Sequence, residues 1–159
     1  MDRINRILIH PEYKQAMNKN FKAERKRIFC KHGIEHQLDV ARIAYIMALE
    51  QGLHFSKEVI YAASLLHDIG RYLEYEGKLS HEEGSVLLGK DILIDSGFSQ
   101  EETGLILDGI KSHRTKDSDP KSFQGIIYMA DKMSRNCFEC NSRELCNWTE
   151  DKKNKGINI

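Results

Sequence analysis

An adjacent histidine and aspartate, His67 and Asp68, stand at the end of an apolar run and just before Gly70. A neutral imidazole and a carboxylate are ordinary ligands for zinc, iron or manganese. Neighbouring helical side chains diverge by about 100°, yet both can reach one ion that lies beyond the end of a helix. A buried hydrogen bond between the two side chains is the alternative, so the pair needs support from elsewhere in the chain.

Two further candidate ligands occur in apolar helical patterns. His36 begins a face of small and apolar residues at helical spacing, where it could also be an ordinary core residue. Asp131 follows an almost wholly apolar turn, where a carboxylate is costly unless it is paired or bound to a cation. Because packed helices can bring such side chains together in a bundle core, the sequence predicts a site built from several helices.

The elements that must position these side chains are helical nearly throughout. The chain has two prolines, and both stand where a helix can begin. The predicted helices are 12–29, one after Gly33, one from Ser56 to the His-Asp pair, one with a Ser80/Glu83 capping box, one with a Ser99/Glu102 capping box, and one opened by Asp119-Pro120. A polar loop is predicted over 72–79. We therefore expect an all-α, single-domain helical bundle.

Composition restricts the classes of function. A chain of 159 residues is the size of one domain, and 24 Lys+Arg against 24 Asp+Glu give no net charge that would favour nucleic acid. No apolar run approaches the length of a membrane span, and the N-terminus is too polar for a signal peptide. We expect a cytoplasmic protein without nucleic-acid or membrane partners, and the composition leaves its oligomeric state open.

The order of the candidate ligands, His36, then His67-Asp68, then Asp131, resembles the HD superfamily of metal-dependent phosphohydrolases. The segments LLHDIGR and YMADKMSR are also similar to that family in their local context. The resemblance implies a helical bundle of the HD-domain type. It also implies that these four side chains bind a divalent metal ion.

The resemblance divides the chain into three parts. It covers roughly residues 25–140, which would form the HD domain. Residues 1–24 would be an N-terminal helical segment. Residues 141–159 would be a cysteine-containing C-terminal segment with a Lys-rich tail, and we expect the tail to be frayed from Asp151 onward.

Some HD proteins carry two more histidines between the HD pair and the final aspartate, and bind two ions. SHEEGSVLLGKDIL and GIKSHR supply His81 and His113, and both segments are similar to the bacterial symmetrical diadenosine tetraphosphate hydrolases. The short loop between Asp68 and His81 departs from those enzymes and leaves the substrate open. Otherwise His81 would be an exposed residue of a first helical turn, and His113 a C-terminal one favoured by the helix dipole. The remaining histidines match nothing in the family and are interpreted as surface residues: His10, His32 and His54.

The resemblance implies hydrolysis by a metal-activated water. In a two-ion site, His36, His67 and Asp131 would hold one ion and the two added histidines the other, with the catalytic Asp68 between them. Such ions lower the pKa of a shared water and neutralise charge on phosphoryl oxygens. Mixed imidazole and carboxylate ligands favour iron or manganese over magnesium. Without the added histidines, a one-ion, nucleotidase-like site would remain.

The implied substrate is a small phosphorylated molecule such as a nucleotide. Candidate phosphate contacts are Arg71, Lys111, Arg114 and Arg135, although each could equally be a surface cation. Two alternatives stay open. The domain could be a nucleotide- or metal-binding sensor with weak or absent catalysis, or a diiron site with the same ligand types could activate dioxygen.

Four cysteines suggest a second metal site. Cys137 and Cys140 form a CxxC pair, and Cys146 follows six residues later. In a reducing cytoplasm, metal binding is favoured over disulfides. Because zinc takes four ligands, Cys30 or, less readily, His32 would complete a structural zinc site that ties down the C-terminal segment. Four free thiols and an iron–sulfur cluster are the alternatives.

Overall fold

The computed structural model of the protein describes residues 1–114 and 119–157, and these ranges contain helices and turns but no β-strand. The α-helices in the described ranges are α1 (Asp2–Ile9), α2 (Pro11–Ala23), α3 (Ile34–Glu50), α4 (Lys57–Leu66), α5 (Arg71–Tyr75), α6 (His81–Ser96), α7 (Gln100–Ser112) and α8 (Phe123–Met133). Two 3₁₀ turns follow, Cys137–Glu139 and Arg143–Leu145. The predicted all-α bundle is therefore confirmed.

The bundle is organised around α3 and α4. Helix α3 packs on α4 and α8, α6 packs on α7, and α7 also contacts α4 and α8. The apolar side chains of these helices meet in one core, with Ile60, Leu66 and Ile126 fully buried. Burying one such side chain contributes about 1.5–3 kcal/mol, so the core supplies the rigid base under the candidate ligands. In the described part of the chain, no helix has the length and apolar character that a membrane crossing requires.

The two predicted capping boxes are confirmed. Ser80 and Ser99 each accept a hydrogen bond from the main-chain N–H three residues later. Each also donates its own main-chain N–H to the carboxylate of the glutamate at that position. Helix α6 ends at Gly97, whose φ of 89° is a left-handed conformation that favours glycine. Ser56 occupies the N-cap position of α4, although its side chain makes no capping hydrogen bond.

The prediction of a helix over 12–29 is wrong in its second half, because α2 ends at Ala23. Glu24 is buried, and its carboxylate accepts a hydrogen bond from the main-chain N–H of His32 at 2.9 Å. The chain therefore leaves the helix and folds back over 24–33. The basic residues that follow offer no apolar face to hold a further helical turn against the core.

Two other boundaries differ from the predictions. The segment predicted as a loop contains α5, which is held because Tyr72 is buried and its N–H donates to Asn20 Oδ1 at 2.8 Å. Helix α8 begins at Phe123 rather than at Asp119-Pro120. Ser122 provides its N-cap by accepting from the N–H of Gly125 at 3.0 Å.

The C-terminal tail is docked rather than frayed as far as the structure describes it. Asn154 donates from Nδ2 to the carbonyl oxygens of Lys132 at 2.8 Å and Arg135 at 2.7 Å, which satisfies groups left open at the end of α8. Lys153 is buried and donates to Arg143 O at 2.9 Å. Residues 158 and 159 of the predicted tail lie outside the described residues.

Candidate metal centre

The His67-Asp68 pair lies in the turn that follows α4, and both residues are buried. Gly70 makes this turn possible, because a Cβ on it would lie 2.3 Å from the main-chain nitrogen of Ser85 on α6. The Gly70 N–H instead donates to Ser85 Oγ at 2.9 Å. The close contact fixes the end of α4 against the start of α6, where His81 lies.

A buried asparagine of α2 holds the same turn from the other side. Asn20 donates from Nδ2 to the carbonyl of Asp68 at 3.0 Å, and its Oδ1 accepts the N–H of Tyr72 at 2.8 Å. A buried amide with both ends satisfied is a specific connector. No sequence signal indicates this role, since an asparagine near a helix end is typical of a surface position or a cap.

The structure brings all six predicted ligand side chains together in two groups. Within each group one ligand-type atom of every residue lies within 4.8 Å of those of the others, and Asp68 belongs to both groups. All six residues are buried. They come from the start of α3, the turn after α4, the start of α6, the end of α7 and the last turn of α8. The first group is His36, His67, Asp68 and Asp131, and the second is Asp68, His81 and His113.

The carboxylate of Asp68 lies between two sets of imidazoles. Its Oδ2 atom is 3.1 Å from His67 Nε2 and 3.7 Å from His36 Nε2. Its Oδ1 atom is 3.5 Å from His81 Nε2 and 3.8 Å from His113 Nε2. One carboxylate therefore presents an oxygen to each histidine pair, as a residue shared between two ions would.

Hydrogen bonds fix the tautomers of two of these histidines. His67 Nδ1 is 2.7 Å from Ser64 O, and His113 Nδ1 is 2.5 Å from Ile110 O. A carbonyl oxygen can only accept, so each Nδ1 carries the hydrogen. In the neutral ring the Nε2 atom is then left as a lone-pair donor that faces Asp68.

The other two histidines are oriented in the same way. His81 Nδ1 lies 3.0 Å from the carboxylate of Glu74, which can only accept when ionised. His36 Nδ1 lies 3.1 Å from Ser134 Oγ, whose own hydrogen is donated to Asp131 O at 2.7 Å. Both rings therefore donate from Nδ1 and direct Nε2 inward, which is the usual arrangement of metal-binding histidines.

Three of the inward nitrogen atoms receive no hydrogen from another described residue in these tautomers, whereas His36 Nε2 accepts from Arg135 Nη2 at 3.0 Å. His67 Nε2 is buried without a hydrogen-bond partner among the described residues, since its approach to Asp68 lacks hydrogen-bonding geometry. The Nε2 atoms of His81 and His113 face each other at 3.2 Å. Two lone pairs at this distance repel unless a cation lies beside them. The donor set of four imidazoles and two carboxylates therefore fits one or two divalent transition-metal ions.

The carboxylates of the centre stay ionised. Burial alone would raise the pKa of Asp68, but His67 and His36 outweigh burial and hold that pKa well below its usual value. Burial is likewise outweighed at Asp131, where His36 and Arg135 keep the pKa low. Burial lowers the pKa of His113 to about 4, so this imidazole is neutral and free to donate its lone pair.

Two cations flank Asp131 in this arrangement. Lys132 Nζ lies 2.6 Å from Asp131 Oδ2, and Arg135 Nη2 lies 3.0 Å from both Asp131 Oδ1 and His36 Nε2. An ion held by His36 and Asp131 would compete with Arg135 for the same two acceptor atoms. Arg135 is therefore close enough to respond to occupancy of the site.

His32 was predicted to be a surface residue, and this is wrong. It is 4% exposed, its Nδ1 contacts Glu24 Oε1, and its Nε2 lies 3.9 Å from Asp68 Oδ2. His32 precedes the N-cap Gly33, so helical periodicity carried no information about where its ring points. Of the other two histidines, His10 is half-buried and caps α2, whereas His54 is exposed as expected.

A small cavity of about 160 Å³ opens over the centre. Its lining is strongly basic, although the chain as a whole is neutral. The acidic lining residues are the two candidate metal ligands Asp68 and Asp131. The basic lining residues are Arg27, Arg71, Arg114, Lys132, Arg135, Arg143 and Lys153.

Three of the four predicted phosphate contacts line this cavity. Arg71 donates to Asp68 Oδ1 at 3.1 Å, and Arg135 is buried beside Asp131. Arg114 is 58% exposed at the rim, 3.3 Å from Glu82. The fourth, Lys111, lies on the exposed side of α7 and is not part of the lining, so the structure does not bring it to the site. Only the side chains on one side of the end of a helix can face a given cavity, and Lys111 lies on another side.

All four cysteines line the same cavity as free thiols. No three of their sulfur atoms lie within 4.8 Å of one another. The structure therefore gathers the predicted thiol ligands without closing them into a tetrahedron.

The helical bundle, the buried HD turn and the shared aspartate define a class of protein. The model of the HD domain family matches residues 33–136. The chain belongs to the HD domain family, whose members are metal-dependent hydrolases. Asn20 of α2 and Glu24, which follows the last residue of that helix, both precede the matched region.

The chain is also similar in sequence to individual proteins. A protein of uncharacterized function from Clostridium beijerinckii is 46% identical over 154 residues, which cover 97% of both chains. Ribonuclease Y of Mycoplasma mycoides is 31% identical over 101 residues, 64% of this chain and 22% of the enzyme. Ribonuclease Y of Acetivibrio thermocellus is 27% identical over 126 residues, 79% of this chain and 22% of the enzyme.

The chain thus spans about a fifth of the length of the ribonuclease Y proteins it matches. No solved structure matches it. These comparisons do not show the narrower similarity to diadenosine tetraphosphate hydrolases, which stays a prediction.

Proposed function

We propose that the protein is a metal-dependent phosphohydrolase that acts on a nucleotide or a related phosphate ester or anhydride. The observation that carries the proposal is the position of Asp68 between two pairs of inward-facing Nε2 atoms. Divalent ions at the six side chains, with iron or manganese favoured by the mixed donors, would act as Lewis acids and lower the pKa of a water.

The protein's own groups hold this arrangement rigid. Ser64 and Ile110 accept from the Nδ1–H groups of His67 and His113, so neither ring can turn its Nε2 atom away. Arg71 donates to Asp68 Oδ1 and keeps that carboxylate oriented and ionised. Orientation by hydrogen bonds outside the ligand set typically contributes 10–100-fold to metal affinity or activity.

The basic lining supports a phosphate-bearing substrate. Guanidinium groups bind phosphate oxygens through charge-assisted and often bidentate hydrogen bonds, and Arg71, Arg114 and Arg135 are available at the cavity. The cavity of about 160 Å³ is smaller than the roughly 300–1,000 Å³ of pockets that enclose a whole ligand. A phosphate group would enter the cavity, and the rest of the substrate would stay at its mouth.

Two aromatic residues at the mouth support a nucleotide in particular. Phe29 and Trp148 both line the cavity, and Lys132 Nζ lies 5.8 Å from the Trp148 ring centre. Stacking of a base on an aromatic ring contributes roughly 1–3 kcal/mol and tolerates different bases. A nucleobase that leaves the cavity would meet these rings. Dinucleoside polyphosphates, suggested by the sequence, carry two bases and belong among the first substrates to test.

The similarity to ribonuclease Y supports a second candidate, a phosphodiester bond of RNA. Both candidates use the same phosphorus chemistry and the same centre. The neutral net charge of the chain favours the small substrate, because RNA binding usually requires an extended basic surface.

The direct test is a hydrolysis screen with protein loaded anaerobically with iron or manganese. Nucleoside phosphates, dinucleoside polyphosphates, short RNA and p-nitrophenyl phosphate are compared by release of phosphate or nucleotide. We expect turnover that Asp68→Asn abolishes and that the control Asp91→Asn, at an exposed position of α6, retains. Tight nucleotide binding without turnover would contradict the phosphohydrolase proposal and favour a nucleotide-binding sensor. Oxygen consumption would favour a diiron site that activates dioxygen.

A second experiment separates base recognition from phosphate recognition. Trp148→Ala should raise KM for a nucleotide substrate by roughly 10-fold or more, as expected from lost stacking, and leave KM for p-nitrophenyl phosphate unchanged. Phe21→Ala is the matched control, since Phe21 is 72% exposed on α2 away from the cavity. Equal effects of Trp148→Ala on both substrates would exclude a base contact.

A further inference from the structure

The four cysteines come from two parts of the chain that are far apart in sequence. Cys30 lies between α2 and α3, whereas the other three lie beyond α8. Cys137 is buried and the remaining three are half-buried. All four line the same cavity as free thiols. This is the full set of cysteines in the chain.

The main chain around the cysteines is built from tight turns. Cys140 donates its N–H to Cys137 O at 3.4 Å, and Cys146 donates its N–H to Arg143 O at 3.2 Å. In a 3₁₀ turn residues three apart lie on the same side, so Cys137 and Cys140 share one side of their turn.

The two cysteine-bearing segments are also tied together by polar contacts. Ser142 Oγ donates to Ile28 O at 2.8 Å and so joins the two segments, while Arg27 Nε donates to Cys30 O at 2.9 Å within the first segment. The thiols are therefore held at one place by contacts that do not involve sulfur.

The surroundings of the thiols are cationic. Arg27, Arg135, Arg143 and Lys153 line the same cavity. Four thiolates around a dication leave a net charge of −2, which nearby cations offset.

We propose that Cys30, Cys137, Cys140 and Cys146 hold a second metal centre through four thiolates, separate from the His/Asp centre. Each sulfur releases its proton to solvent as it binds the metal. Soft thiolate ligands select zinc or an iron–sulfur cluster among the metals available to a protein. The centre joins the C-terminal segment to the segment that precedes α3.

The spacing of the sulfur atoms bears on which metal is held. A zinc ion with Zn–S bonds of about 2.3 Å requires its sulfurs to lie about 3.8 Å apart, so the thiols would have to move together. An iron–sulfur cluster distributes its ligands over several iron atoms and accepts a wider arrangement. Since no three sulfurs lie within 4.8 Å of one another, the spacing favours the cluster.

The centre has a consequence for the cavity that rests on the proposed function. Trp148 follows Cys146 by two residues, and Arg143 and Lys153 belong to the same segment. Loss of the centre would release these side chains from the mouth. The existence of the centre does not depend on hydrolysis, so metal analysis tests it independently.

The test compares anaerobically purified wild-type protein with Cys137→Ser/Cys140→Ser and with Cys30→Ser. Iron, zinc and acid-labile sulfide are measured per chain, together with visible absorption. We expect wild type to hold either iron with sulfide and a cluster absorption band, or one zinc, in addition to metal at the His/Asp centre. Both variants should lose this metal and keep the other, whereas Asp68→Asn should show the reverse pattern.

Ser142→Ala is the matched control, because it removes a contact between the same two segments but no thiol, and it should keep the thiolate-bound metal. Cys30→Ser preserves the test if the double variant fails to fold, since it changes a different segment. The proposal is overturned if wild type, supplied with zinc or with iron and sulfide under reducing conditions, binds no more metal than the variants and leaves four reactive thiols.

Discussion

The Nε2 atoms of His81 and His113 lie 3.2 Å apart in a buried space, and each ring has its Nδ1 atom hydrogen-bonded on its far side. One residue opens α6 and the other follows the last residue of α7. Their lone pairs converge with Asp68 Oδ1, so these two residues decide whether the protein has room for a second ion.

We predict that His81→Ala or His113→Ala lowers metal occupancy at the His/Asp centre from two ions to one. Turnover should fall by more than the 10–100-fold typical of groups outside the ligand set. Metal analysis and single-substrate kinetics measure both effects. His54→Ala, at an exposed position, serves as the control. If occupancy and rate stayed at wild-type values, both histidines would have structural roles only.

Asn20→Ala should destabilise the protein by roughly 2–3 kcal/mol, because it leaves the buried N–H of Tyr72 without a partner and removes one of the two hydrogen bonds that the carbonyl of Asp68 accepts. Urea unfolding followed by circular dichroism measures the change. Asn18→Ala, at an exposed position of the same helix, should change stability by less than about 0.5 kcal/mol. Equal midpoints for the two variants would show that Asn20 does not hold the turn.

Glu24→Gln should weaken metal binding at the His/Asp centre by roughly 10-fold, since Glu24 orients His32 towards Asp68. Competition with a chelator of known affinity provides the measurement. Glu12→Gln, exposed at the start of α2, should have no effect. An unchanged metal affinity in Glu24→Gln would restrict the Glu24–His32 pair to a role in folding.

Metal-free protein should lose stability as pH falls from about 6.5 towards 4. Burial lowers the pKa of His32 to about 4, although the hydrogen bond to Glu24 opposes this, so the unfolded chain binds the proton first. The stabilising contribution of neutral His32 is therefore present above pH 6.5 and is lost through this window. Chemical unfolding at a series of pH values should give a smaller decrease for His32→Gln.

His67 should contribute the opposite pH dependence in the same experiment. Burial lowers the pKa of His67, but the Asp68 carboxylate outweighs burial and raises it, so its contribution is present below pH 6.5 and lost as pH rises. The difference between wild type and His32→Gln isolates His32 from this effect. Identical pH profiles for the two proteins would contradict the prediction.

Local sequence signals are sufficient to predict the helices that carry the centre. Capping boxes at Ser80 and Ser99, the apolar stripe behind His36 and the HD pair before Gly70 are local signals. Helix periodicity and caps depend on neighbours within a few residues, so they can be interpreted without knowledge of the tertiary structure. The convergence of the six candidate ligands follows from apolar faces that must share one core.

The orientation of side chains in irregular segments, and the partners of long-range contacts, are known from the folded structure alone. His32 lies in the segment between α2 and α3, where no periodicity fixes the direction of a side chain, and its partner Glu24 turns it inward. Asn20 reaches a turn 48 residues away along the chain. Lys111 points away from the cavity because neighbouring positions on α7 face the core. Such choices depend on which surfaces pack together, and local sequence does not contain that information.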